Sequence, residues 1–172
     1  MTCDPNAIDL AREVVRLFTR RGLTLVTAES LTGGLIGATL TSIPGASAMY
    51  WGGAITYATS LKALVLGVNP ETIDKYTVIS AQTVTEMALG AQNNCGADYA
   101  LAVTGVAGPS EQDGHQPGEV WAGLASPRDG LMGKVVTRGY NFEGDRSQVR
   151  WQTVSSALEL LLEEVSLGPR ML

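Results

Sequence analysis

Residues 27–40, TAESLTGGLIGATL, put a carboxylate (Glu29), two hydroxyls (Ser30 and Thr32) and a glycine pair (Gly33, Gly34) at one junction. Before it runs the apolar stretch Leu23, Leu25, Val26; after it come Leu35, Ile36 and Leu40 at helical spacing. A strand-to-helix turn presents free backbone N–H groups and the positive end of the helix dipole. Side-chain-free glycines let a ligand approach that backbone closely. Such a turn suits a phosphate or the oxyanion of an acyl transfer, with Ser30 as the candidate nucleophile. The alternative is structural: Ser30 or Thr32 caps the helix and the glycines permit tight packing. No lysine follows the glycines, as a Walker loop requires, and the pattern is not a Gly-x-Ser-x-Gly elbow.

A serine nucleophile needs a base. The only histidine, His115, sits in the polar stretch SEQDGHQPG and reads as a solvated loop residue. Lys62 is the sole formal charge between Glu29 and Glu71, five residues after Tyr57 and flanked by Leu61, Ala63 and Leu64. Desolvation lowers a lysine's pKa, and a lysine so shifted can take a proton from serine directly or through a tyrosine hydroxyl. Spacing alone leans towards the other reading, an exposed lysine on a short amphipathic helix. Thr104, beside Gly105, leaves an apolar stretch for a Gly- and Pro-rich loop reaching Gly118. Ligands gather at the carboxyl ends of parallel strands, so Ser30 and Thr104 share a crevice if their strands are neighbours. Otherwise the segment is a turn-rich surface loop. Arg146 reads either as a cation facing that crevice or as an exposed first-turn arginine.

The elements that must position these residues follow from caps and periodicity. Asp4-Pro5 opens a helix that Gly22 ends. A strand over 23–28 leads into a helix from about Thr32 to Ser42. Residues 53–58 read as a second strand, 59–68 as a short helix, and Asn69-Pro70 as the start of a further helical turn. Ser80 caps a longer helix with Val84, Met87, Ala91 and Cys95 on its inner side, closed by Gly96. A third strand covers 98–105. Two more, 119–125 and 131–140, form a hairpin around residues 126–130. Asp145 and Gln148 make a capping box for a last helix over about 146–166. Strands alternating with helices, plus one hairpin, predict a single α/β domain over 1–172. It is a three-layer α/β/α sandwich with a mostly parallel sheet.

Composition narrows the partners. Only 17% of the 172 residues are charged, and 45% are hydrophobic. So few charges, with Tyr50 and Trp51 reading as exposed, favour a homodimer or larger assembly. The net charge of −5 argues against nucleic acid as a partner. The apolar runs are too short for a membrane span, and the N-terminus does not read as a secretory signal. Cys3 and Cys95 show neither metal nor redox spacing, so a reduced, cytoplasmic setting is the simplest expectation.

Five ordered blocks, TAESLTGGLIGATLTSIPGAS, GGAITYATSLKALVLGV, VISAQTV, GADYALAVTGVAGP and FEGDRSQVR, resemble the C-terminal domain of the CinA family. This competence/damage-inducible family includes nicotinamide mononucleotide deamidases, and the resemblance spans about residues 8 to 163. It implies a mixed sheet of about five strands, a stand-alone form without the N-terminal molybdopterin-binding-like domain, and no metal or organic cofactor. It further implies hydrolysis of the carboxamide of nicotinamide mononucleotide to nicotinic acid mononucleotide and ammonia. By position, Ser30 matches the family's nucleophile and Tyr57 and Lys62 its activating pair, while Ser47, Thr104 and Arg146 match other active-site positions. Polar contact is the reading for Ser47 and Thr104, and phosphate binding or charge balance for Arg146. Glu29, Thr32, Gly33, Gly34 and Gly105 complete the expected substrate-binding set. Glu29 either fixes the turn through backbone N–H groups or orients Lys62. A catalytically silent nucleotide- or partner-binding protein is the alternative function. Three features depart from the family pattern: Leu31 stands where cysteine is usual, Ser110 to Asp113 replace glycines, and Pro117-Gly118-Glu119-Val120 is a shortened loop end.

Overall fold

The computed structural model describes residues 4–127 and 134–167. Its five strands are β1 (Leu25–Glu29), β2 (Tyr50–Ile55), β3 (Tyr99–Gly105), β4 (Glu119–Ala125) and β5 (Val135–Asn141). They form one sheet in the order β2-β1-β3-β4-β5. β1 pairs in parallel with both β2 and β3, while β4 runs antiparallel to β3 and to β5. Four strands therefore point one way and only β4 is reversed. The sheet is mixed and mostly parallel, as expected.

Helices cover both faces. α1 (Pro5–Arg21), α2 (Leu35–Thr41) and α6 (Arg146–Leu167) pack on one side, burying Phe18, Leu25, Ile36, Leu101 and Leu158. α3 (Thr59–Leu66), α4 (Pro70–Tyr76) and α5 (Ala81–Cys95) take the other, where Val26, Ala28, Val84, Met87 and Ala102 form a second cluster. β1 is buried along its whole length because both faces are covered, which is why its sequence runs apolar without alternation. No helix among the described residues is long and apolar enough to cross a membrane.

Asp4, Asn69 and Ser80 cap α1, α4 and α5 through their side chains. Asp145 and Gln148 exchange the two bonds of a capping box at the start of α6, at 2.7 and 2.9 Å. Four details differ from the sequence reading. α2 begins at Leu35, not Thr32, because Gly33 and Gly34 are left-handed (φ 61° and 92°) and hold residues 31–34 as a turn. β2 begins at Tyr50, three residues early, since Gly52-Gly53 belongs to the strand. A Cβ on Gly53 would lie 2.2 Å from Thr27 Oγ1, so β1 and β2 pair only with glycine there. Tyr50 is half-buried and bonded to Thr27 Oγ1 at 2.7 Å, so of these two aromatics only Trp51 is exposed. Cys95 is exposed. Of the 126–130 turn, residues 128–130 lie outside the described residues, as do 131–133 of the strand expected from 131.

The α3–α5 contact is equally tight. A Cβ on Gly90 would sit 1.8 Å from the carbonyl oxygen of Leu66, a backbone atom that cannot rotate aside. Gly90→Ala is expected to destabilise by about 3 kcal/mol. Thermal unfolding would read this as a melting point lowered by roughly 6–12 °C.

Candidate active site

The topology opens a crevice at one place. From β1 the chain passes through α2 on one face to β2; from β2 it passes through α3, α4 and α5 on the other face to β3. The connections thus diverge at the carboxyl end of β1, a switch point where ligands bind in open α/β sheets. Glu29, Ile55 and Val103 are in register across these three strands. Ser30, Thr56 and Thr104, one residue further on, therefore emerge side by side. The Ser30 N–H donates to Val103 O at 3.1 Å, which fixes the backbone of the serine against β3.

Lys62 reaches this point from α3. It is 1% exposed, and its Nζ donates to Ser30 Oγ at 3.0 Å and to Thr56 O at 2.8 Å. Among the described residues it has no carboxylate partner. Burial disfavours the ammonium and lowers the lysine pKa to about 8. About a tenth is therefore free amine at pH 7, far more than for a solvated lysine, and it lies within proton-transfer distance of a hydroxyl.

Glu29 is buried at 1% exposure but does not orient Lys62. Its carboxylate accepts the N–H of Ile36 at 3.0 Å and of Gly37 at 2.8 Å, with Thr27 Oγ1 at 3.4 Å. It caps α2 from outside the helix, doing what the N-cap residue Gly34 cannot. The turn that carries Ser30 is held between this cap and the Gly33 N–H bond to Ser30 O, 3.0 Å. Glu29→Ala strands one buried and one half-buried donor and is expected to cost about 3 kcal/mol of unfolding free energy in a denaturant titration.

Thr32 is fully buried; its carbonyl accepts from Arg150 Nη2 at 2.6 Å. With Gly33 and Gly34 it shapes the turn. Among the described residues the N–H groups of Leu31 and Thr32 have no protein acceptor.

Ser30, Leu31, Tyr57, Thr104, Gly105 and Arg146 line one cleft of about 230 Å³, with the 106–112 loop as its further wall. Thr104 Oγ1 donates to Val78 O at 2.7 Å, and a Cβ on Gly105 would lie 2.5 Å from Glu119 O, so both also join β3 to its neighbours. Arg146 donates to Gly108 O at 3.0 Å and to the Tyr57 hydroxyl at 2.6 Å. Tyr57 is thus engaged by Arg146 rather than by Lys62. Ser47 stands apart, exposed on the 3-10 turn Ala46–Ala48 before β2, at the strand end away from Thr56. His115 is half-buried rather than a freely solvated loop residue: Thr77 Oγ1 and Glu119 Oε1 hold its two ring nitrogens, each at 2.8 Å.

Two contributors escape a reading of the sequence. Thr56 acts through its carbonyl, which leaves no trace in residue type. Arg150 supports the Ser30 turn from α6; its place four residues after Arg146, on the same helical face, is the one available signal.

Residues 7–165 match the model of the CinA C-terminal domain. The chain is 38% identical over 162 residues to the Escherichia coli K12 protein named nicotinamide-nucleotide amidohydrolase PncC, covering 94% of this chain and 96% of that one. It is 44% identical over 148 residues to a CinA-like protein of Frankia casuarinae, covering 86% of this chain and 33% of that protein. It spans only 33–38% of the length of such longer relatives. In structure it is similar to the competence/damage inducible protein CihA of Agrobacterium tumefaciens (TM-score 0.88, 36% identity, covering 95% of this chain and 98% of that one). A CinA superfamily protein of Klebsiella pneumoniae 700603 gives a TM-score of 0.89 at 34% identity, covering 94% and 99%.

Proposed function

Because the chain belongs to the CinA C-terminal domain family, we propose that it is an amidohydrolase acting on nicotinamide mononucleotide. The observation that carries the reading is the 3.0 Å contact between a buried lysine amine and Ser30 Oγ, at the edge of a cleft. The similarity to the protein named nicotinamide-nucleotide amidohydrolase supports the substrate.

In this mechanism the free amine of Lys62 takes the Ser30 proton as Oγ attacks the carboxamide carbon. The oxyanion falls to the N–H groups of Leu31 and Thr32. Lys62, now an ammonium, returns a proton to the amide nitrogen, the C–N bond breaks, and ammonia leaves an acyl-serine ester. Water then attacks the ester, again giving a proton to Lys62, and Ser30 is restored as the nicotinic acid product departs. The Tyr57 oxygen accepts from Arg146, so its own hydrogen is available to the leaving nitrogen or the substrate. Arg146 supplies the positive charge for the phosphate. Glu29, Thr32, Gly33 and Gly34 hold the turn, and Thr104 and Gly105 shape the cleft wall. The working form is a homo-oligomer in the cytoplasm, with no metal or organic cofactor; Ser47 has no role within one chain in this scheme.

One observation favours a second reading. Tyr57 is bonded to Arg146 and not to the Ser30–Lys62 pair, as in a pocket that binds a nucleotide without turning it over. Ammonia release from nicotinamide mononucleotide by the purified chain, measured beside its thermal shift with the same nucleotide, separates the two. Release supports the amidohydrolase; a shift without release supports the silent binder.

A further inference from the structure

Among the side chains lining the cleft, two carry a formal charge, Arg146 and Glu111. Among the described residues they are not an ion pair: Arg146 gives two of its five donors to Gly108 O and Tyr57, and Glu111 accepts from Gln116 Nε2 at 3.0 Å. The Gln116 bond occupies one oxygen of the Glu111 carboxylate and steadies it at the cleft wall. A cleft meant for an anion alone gains nothing from a carboxylate, which repels the ligand that Arg146 attracts. The pairing fits a ligand that carries both signs. Nicotinamide mononucleotide is such a ligand, with a phosphate at one end and, at the other, a quaternary pyridinium bearing the carboxamide.

Resting on the amidohydrolase reading, we propose that Glu111 is a specificity determinant that selects the cationic pyridinium ring over an uncharged ring of the same shape. The carboxamide lies at Ser30, the phosphate at Arg146, and the ring between them faces Glu111. The reduced, dihydropyridine mononucleotide keeps the carboxamide, ribose and phosphate but has a neutral ring. It forgoes the attraction to Glu111 while its phosphate still meets the repulsion. The carboxylate is exposed, so the effect is one of partly screened charge.

The test is calorimetric binding of the oxidised and reduced mononucleotides to the wild type and to Glu111→Gln, with ammonia release recorded separately. Wild type is expected to bind the oxidised form more tightly. Glu111→Gln should weaken the oxidised form about fivefold and leave the reduced form unchanged or slightly tighter. The oxidised-form preference should shrink as salt is raised. Equal weakening of both forms, or of neither, overturns the proposal, as does failure of the wild type to bind either nucleotide. Binding with the expected selectivity but no ammonia release sustains the role of Glu111 and overturns the amidohydrolase reading instead.

Discussion

Ser30→Ala is expected to reduce ammonia release from nicotinamide mononucleotide by about 10⁴-fold or more, to the level of background hydrolysis. The variant removes one oxygen from a residue with 8% exposure, so the turn and its caps stay in place. Ser30 holds the turn through backbone groups, its N–H to Val103 O and its carbonyl to the Gly33 N–H, and alanine keeps both. Nucleotide binding should therefore survive the substitution within a fewfold while turnover disappears. That split between binding and turnover is the signature of a nucleophile. Loss of both together would mean that Ser30 is a binding or folding residue, and unchanged release would place the nucleophile elsewhere. Mass spectrometry of a rapidly quenched reaction should show the acyl ester on wild type and none on the variant.

The sequence made the Ser30 junction visible because its residue types conflict with its surroundings: a carboxylate, two hydroxyls and two glycines between two apolar segments. The sheet order behind it was legible in outline, since strand–helix alternation leaves few topologies for a mostly parallel sheet. What was not legible were contacts that sequence distance hides. Arg146 reaches Tyr57 across 89 positions, and nothing in either segment announces the other. Thr77, 38 positions from His115, holds one ring nitrogen in the same way while Glu119, four positions on, holds the other, so a histidine in a polar loop looked solvated when it is held on both sides. Burial of Lys62 was ambiguous for a different reason. A lysine among leucines on a short helix reads identically whether the helix lies on the surface or turns that residue inward, and α3 turns it inward. Glu29 was narrowed to two roles by its position and resolved by the α2 cap. The departures in β2 and α2 come from glycine, which signals a break in a lone sequence but here serves a close strand crossing and a left-handed turn.

Lys62→Met should separate stability from activity, with opposite signs. Losing the base is expected to lower kcat/KM by about a thousandfold or more. Stability should rise, because the native lysine is held at a pKa of about 8 against 10.5 when solvated. That drop corresponds to about 3 kcal/mol of unfavourable burial of the ammonium. The Ser30 hydroxyl and the Thr56 carbonyl lose their donor in the variant, which takes back part of the gain. A net stabilisation of about 1–2 kcal/mol remains, or roughly 2–8 °C in melting temperature for a domain of this size. The pH dependence has a definite sense. Between pH 8 and 10.5 the unfolded chain binds more protons at Lys62 than the folded one, so wild-type stability gains from this group as pH rises through that window. Below about pH 8 the full cost is present and Lys62→Met has its largest advantage; the advantage shrinks as pH rises and reverses before pH 10.5, where only the lost hydrogen bonds to Ser30 and Thr56 remain. Wild-type kcat/KM should climb tenfold per pH unit below about pH 8 and level off above it, because only the free amine accepts the Ser30 proton. The substrate phosphate has completed its own titration by pH 7, so the upper limb belongs to the enzyme. A flat profile across pH 7 to 9, or a Lys62→Met variant that keeps its activity, would remove Lys62 as the base, and a variant less stable than wild type at pH 7 would mean that burying this amine carries no net cost.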